Sequence, residues 1–207
     1  MTQRSLPSSK RAVEGLSHVV LRTANIDQTL AWYSIVLGAH VVWKNEMGAA
    51  LTFDAEHHRL ALIAVPPAKA GPAPRTEPGL EHIAFKAGGL GELLSQYAAI
   101  RDHDIHPALT LNHIGTVSMY YRDPDGVLVE LFCDAMTPDQ ATETMSSPQF
   151  TKNPVGVPFD PDNLLERYLA GEPIARLVEQ PELDEAGLAK LIAFGGGTSA
   201  VAETVTR

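Results

Sequence analysis

Three residues open the chemical reading of this chain: His18, His82 and Glu130. Two imidazole nitrogens and one carboxylate oxygen on one side of an ion leave the opposite positions open for substrate and oxygen. That is the donor set of a redox-active Fe(II), with Mn(II) as the alternative ion. The histidines each stand third in a matching run, LSHVVL at 16–21 and LEHIAF at 80–85, 64 positions apart. Glu130 lies inside VLVELF at 127–132, where strand alternation groups it with Leu128 and Phe132. A carboxylate among such neighbours is costly to bury unless it is paired or bound to a metal. Taken singly, each histidine reads equally well as a hydrogen-bonded core residue, and Glu130 as a solvent-facing residue of an edge strand. Their repeat-matched positions favour one shared metal site.

The elements that must position these residues also repeat. After the first histidine, residues 27–38 open on Asp27 as an N-cap candidate, carry apolar residues at helical spacing and stop at Gly38; residues 90–100 read the same way after the second histidine. Tyr33 and Tyr97 keep the offset of 64. Strand-like runs follow at 39–43, 50–54 and 59–65 in the first copy, and at 105–109, 117–122 and 127–133 in the second. The expected fold is therefore α+β: two βαβββ modules, 16–65 and 80–134, forming a cleft around the metal site. The Pro-, Ala- and Gly-rich stretch 66–79 is the linker between them. Aligning 54–64 with 122–132 puts Leu62 opposite Glu130, so no fourth ligand is expected and the site stays open. Asp123-Pro124-Asp125-Gly126 reads as the hairpin turn that sets the strand of Glu130.

Residues 1–15 read as an N-terminal arm, and 135–207 as a C-terminal extension. In the extension, Asp160 caps a short helix near 161–170 that stops at Gly171 and packs on the domain or on a neighbouring subunit; a further helix spans 184–194, before a mobile tail that opens on Gly195.

Composition narrows the function classes. A formal charge of -9 and a pI near 5.3 argue against nucleic acid or an anionic membrane as partner, because phosphate binding needs a clustered positive field. The single Cys133 rules out an intramolecular disulfide and suits a reducing compartment, so a cytoplasmic location is expected. No apolar run is long enough to span a bilayer, and the basic N-terminus has no apolar stretch after it.

The paired βαβββ pattern with His, His and Glu resembles the vicinal oxygen chelate superfamily of glyoxalases, bleomycin-resistance proteins and extradiol dioxygenases. Within it, His113-Ile-Gly-Thr-Val-Ser-Met119-Tyr120-Tyr-Arg-Asp123-Pro124-Asp-Gly126-Val-Leu-Val-Glu130 is similar to the signature of the type I extradiol dioxygenases. His57-His58-Arg-Leu-Ala-Leu resembles a segment of those acting on bicyclic catechols. The resemblance covers residues 16–134 and fits the small single-domain members, similar to 2,3-dihydroxybiphenyl 1,2-dioxygenases. It implies Fe(II)-dependent ring cleavage next to the diol of a bicyclic or substituted catechol, with O2 as co-substrate; a homo-oligomer is expected separately, on no particular motif. It also implies roles: His58 as the acid-base histidine, His113 as a hydrogen-bonding partner of the substrate, and Tyr120 at the metal-bound hydroxyl. His40, His103 and His106 carry no motif and read as surface residues.

Two other readings compete. In a glyoxalase- or epimerase-like enzyme a non-redox metal polarises a carbonyl and a carboxylate such as Glu56 or Glu81 moves the proton. A metal-free drug-sequestering module would have no use for His18, His82 and Glu130 together.

Overall fold

The computed structural model of the protein describes residues 13, 15–67 and 78–194. Most of the arm, linker residues 68–77 and the tail from Gly195 lie outside the described residues.

The first module runs β1 (Val19–Thr23), α1 (Ile26–Leu37), β2 (His40–Lys44), β3 (Gly48–Thr52) and β4 (Leu60–Ala64). The second runs β5 (Ile83–Lys86), α2 (Leu90–Arg101), β6 (Leu109–Asn112), β7 (Thr116–Arg122) and β8 (Leu128–Asp134). The cap of α1 is Asn25, whose side chain accepts from the Gln28 amide, and not the expected Asp27. Asp27 sits inside the first turn, where its charge faces the positive end of the helix dipole. Gly38 ends the helix in the left-handed conformation.

Each module forms a mixed sheet, ordered β1-β4-β3-β2 in the first and β5-β8-β7-β6-β9 in the second. In both, the opening strand pairs in parallel with the closing one, β1 with β4 and β5 with β8, as a crossover helix requires. Strand β6 lies later than the expected 105–109. Asp104 turns the chain through φ 59 after α2 and Pro107 interrupts the run, so ladder pairing begins with Leu109 opposite Tyr120.

The backs of both sheets pack on α1 and α2 around one core containing Tyr33, Leu51, Leu93, Tyr97, Tyr121 and Leu131. The repeat-matched tyrosines each reach a carboxylate: Tyr33 donates to Asp123 Oδ2 at 3.0 Å and Tyr97 to Asp162 Oδ1 at 2.7 Å. Asp123 Oδ1 in turn accepts the amides of Asp125 and Val127, fixing the turn that launches β8. Burial raises the Asp123 pKa, and it raises that of Tyr33 as well.

The extension folds onto the second module. It contains α3 (Pro138–Met145), α4 (Pro148–Lys152), β9 (Val157–Pro158), α5 (Pro161–Leu169), α6 (Ile174–Leu177) and α7 (Glu185–Phe194). Helix α5 has the expected Asp160 cap and packs on α2, within the chain. Short β9 adds a fifth strand beside β6, and α7 covers part of the front of this sheet, where Leu191 joins Leu109, Leu111, Tyr120 and Leu128 in a second apolar cluster. Among the described residues the front of the first sheet has no such cover: Val20 is 48% exposed, Trp43 52% and Ile63 48%.

Candidate metal centre

Glu130 is central to the front face of the second sheet. Alternation in β8 puts Leu131, Val129 and Cys133 into the core behind, so Glu130 points forward with only 8% of its surface exposed. Its ladder partners are Ala84 on β5 and Tyr120 on β7, one of which has almost no side chain and the other a hydroxyl. The Tyr120 hydroxyl donates to Glu130 Oε1 at 2.9 Å, and His82 Nε2 lies 3.0 Å from Oε2. His113 Nε2 stands 3.0 Å from the Tyr120 hydroxyl. A continuous hydrogen-bonded line thus runs His113, Tyr120, Glu130, His82.

The position of His113 is built from the backbone. It follows β6 directly, and its amide bonds the Thr116 carbonyl at 2.9 Å. Gly156 is pressed against it with φ +102; a Cβ there would lie 2.8 Å from the Asn112 carbonyl oxygen and 2.9 Å from His113 Nδ1, so only glycine admits this approach. Burial lowers the His113 pKa, partly opposed by the charge of Glu130 and a hydrogen bond to the Val155 backbone. Burial thus favours the neutral ring.

His18 sits elsewhere. It precedes β1 and is exposed, with its ring centroid 4.5 Å from that of His58. The His57 and His58 rings are also in contact, with centroids 4.4 Å apart and planes tilted by 41°. Arg59 holds this corner, donating from Nη1 to the Leu16 and Ser17 carbonyls while Nε meets the Asp54 carboxylate. The His58 pKa is lowered by desolvation and by the neighbouring His18 and His57.

The chain therefore carries two half-sites on two sheet fronts: His82, Glu130, Tyr120 and His113 on the second, His18 and His58 on the first. Among the described residues no group of three or more His, Cys, Asp or Glu side chains is arranged to hold a metal ion. The second half-site nevertheless fits one. Two donors bound at right angles to one ion at about 2.1 Å lie about 3.0 Å apart, which matches the His82–Glu130 separation. The fold also corrects the repeat alignment. Val20 pairs with Ala61 as Ala84 pairs with Glu130, so the counterpart of Glu130 is Ala61 and not Leu62. Leu62 is a core residue, 2% exposed. Neither position offers a fourth ligand. His40, His103 and His106 are exposed. The sequence reading missed Arg59 and Gly156, though HHR at 57–59 and the Asn153-Pro-Val-Gly156 turn were visible signals.

Comparison with known proteins agrees with this fold. Residues 15–131 match the family described as the Glyoxalase/Bleomycin resistance protein/Dioxygenase superfamily. Biphenyl-2,3-diol 1,2-dioxygenase 2 of Rhodococcus globerulus is 41% identical over 167 residues, 80% of this chain and 87% of that protein. Biphenyl-2,3-diol 1,2-dioxygenase 3 of the same organism is 42% identical over 166 residues, 78% and 86% of the two chains. A solved glyoxalase/dioxygenase from Nostoc punctiforme superposes with a TM-score of 0.51 at 18% identity, covering 64% of this chain and 99% of its own, a likeness of fold. The chain belongs to the Glyoxalase/Bleomycin resistance protein/Dioxygenase superfamily, among its extradiol dioxygenases.

Proposed function

We propose that the protein cleaves the ring of a catechol next to its diol, using Fe(II) held by His18, His82 and Glu130, with Mn(II) as the alternative ion. The observation that carries this reading is the buried Glu130 carboxylate shared between His82 Nε2 and the Tyr120 hydroxyl. A carboxylate this enclosed, beside an imidazole nitrogen at ligand-to-ligand spacing, is suited to a divalent ion.

The third donor comes from a second copy of the chain. His18 and the bare apolar front of its sheet need a cover, and the half-site around Glu130 needs a nitrogen. A twofold pairing that lays the first sheet of one copy over the second sheet of the other meets both needs twice. His58 travels with His18, since the two rings are in contact, tilted by 38°.

Iron held there would supply the redox chemistry between the diol ring and O2. The chain's own residues do the rest. Tyr120, held between His113 and Glu130, presents its hydroxyl to a diol oxygen and fixes the orientation of the ring. His113 Nε2 steadies that hydroxyl. His58, with Nδ1 facing His57, takes a diol proton on Nε2 and returns it as the ring opens. Both atoms of O2 end in the product. The apolar front of the sheet, with Leu128 and the α7 residues, keeps bulk water out.

The test is anaerobic loading with Fe(II), then addition of catechol or biphenyl-2,3-diol in air, following O2 uptake and a visible-absorbing ring-opened product. Uptake of one O2 per diol with the coloured product is expected. Absence of both with every diol tried would overturn the reading.

A further inference from the structure

We infer that the extension builds the subsite for the part of the substrate remote from the diol: an apolar cavity between α3, α4 and the front of the second sheet, sized for a ring-bearing catechol. This rests on the catechol reading above and adds which residues choose among catechols.

The cavity has a volume of about 430 Å³, and Met136, Ala141, Met145, Phe150 and Pro154 supply its apolar side. All five lie outside residues 15–131, the part of the chain matched to the family. His113 forms the side nearest the metal half-site. The same ring reaches Tyr120, so the cavity begins one side chain away from the hydroxyl proposed to orient the diol. At the opposite edge the cavity meets Lys86 and Asp134, an ion pair.

Two features decide the direction in which a substituent points. On the β6 side of Tyr120 the front of the sheet is already filled, because Leu191 buries itself to 3% exposure against Leu109 and Leu128 while the Phe194 ring lies 6.4 Å from that of Tyr120. A substituent on a diol held at Glu130 therefore meets packed side chains beside Tyr120 there, whereas past His113 it meets the apolar cavity. The wall is also anchored to the site. Helix α3 carries a full capping box, Thr137 with Gln140, and packs on the turn after His113, where Ala141 Cβ would meet a Cβ on Gly115 at 3.8 Å. A phenyl-sized group fits this volume, and two methionines and a phenylalanine offer it polarisable contact. The Lys86–Asp134 edge sets the far limit, since an apolar group extending past it would strip water from both charges.

Narrowing the cavity tests this. Ala141→Phe places a ring in the space, with Ala141→Leu as a milder variant. Binding of biphenyl-2,3-diol and of catechol to the iron-free protein, without O2, is measured by calorimetry, and turnover of both diols by the iron-loaded enzyme is measured in parallel. The expected result is that the preference for biphenyl-2,3-diol over catechol falls by roughly tenfold or more in both measurements. An unchanged preference, or an equal loss for both diols, would overturn the subsite. A wild-type protein that binds biphenyl-2,3-diol no better than catechol would do so too. Failure of turnover with every diol, while the binding preference shifts as expected, would strike the ring-cleavage reading and leave the subsite standing.

Discussion

The pairing of half-sites across two copies predicts a complementation that no in-chain site can give. His18→Ala removes the nitrogen on the front of the first sheet, and Glu130→Gln removes the carboxylate on the second. Each homodimer then carries one lesion in both of its sites, and both should lack iron and activity. In a mixed dimer the geometry separates the outcomes. One composite site combines the altered first sheet with the altered second sheet, whereas the other combines the two intact faces. Random assortment of equal amounts makes about half of the dimers mixed, each with one working site of two, so the mixture should recover about one quarter of wild-type activity. Isolating the mixed dimer by two different affinity tags should raise this to about one half, with about one iron per dimer by elemental analysis. The assay is co-expression or refolding of the two variants, followed by O2 uptake with a catechol. Activity no greater than the average of the two single variants, in a dimer shown by chromatography to be mixed, would refute the shared site and return His18 to its own chain. The gain is read against variants with a lesion in every site, so a modest loss of dimer stability lowers the recovered fraction without removing it.

Two further predictions concern the support of the second half-site. His113 is held neutral by burial, so its folded pKa lies below the ordinary 6.5. The unfolded chain takes up a proton there first as the pH falls, so the stability this residue contributes is present above pH 6.5 and lost on acidification below it. Urea unfolding between pH 7.5 and about 5 should show a decline that is shallower in His113→Gln; equal slopes would remove His113 as a contributor. Buried Asp123, whose pKa is raised, acts with the opposite sign, gaining stability as the pH falls through its folded pKa towards the ordinary 3.8. Gly156→Ala meets a positive φ and two contacts under 3.0 Å, one of them with His113 itself. A loss of about 1–3 kcal/mol is expected from the backbone alone, together with weaker diol binding as His113 is pushed from Tyr120. An unchanged melting temperature would mean that the Gly156 turn relaxes freely.

The modules were legible because alternation and helical spacing are local. LSHVVL and LEHIAF both become the start of a first strand, and β7 and β8 fall within a residue or two of their expected bounds. The slip at β6 came from judging residues 105–109 by their own propensity, when tertiary pairing with β7 selects 109–112. The error at Leu62 is of the same kind. The two copies differ in loop length between β1 and β4, so a constant offset carried the alignment one residue too far and onto the opposite face of the strand. The extension was only partly legible. Asp160 and Pro161 announce α5, whereas α3 and α4 are short and β9 is two residues long, so their meaning lies in what they pack against.

His18 shows where a repeat stops being informative. Matched histidines on matched strands require only that one module face another through a twofold relation. That relation is satisfied equally by the two modules of one chain and by modules of two chains, because the strand, its register and the residue at each position are the same in both cases. The difference lies in which surfaces remain uncovered once a single chain has folded. Here the backs of both sheets share a core through α1 and α2, so each front points away to find its own cover. The second finds part of it in α7. The first, with Val20, Trp43 and Ile63 about half exposed across the sheet whose edge strand follows His18, finds none among the described residues. Bare apolar surface next to a histidine proposed as a ligand is what an intermolecular site would leave behind in its isolated half, and that asymmetry between two related sheets supports the proposal that the enzyme works as a pair.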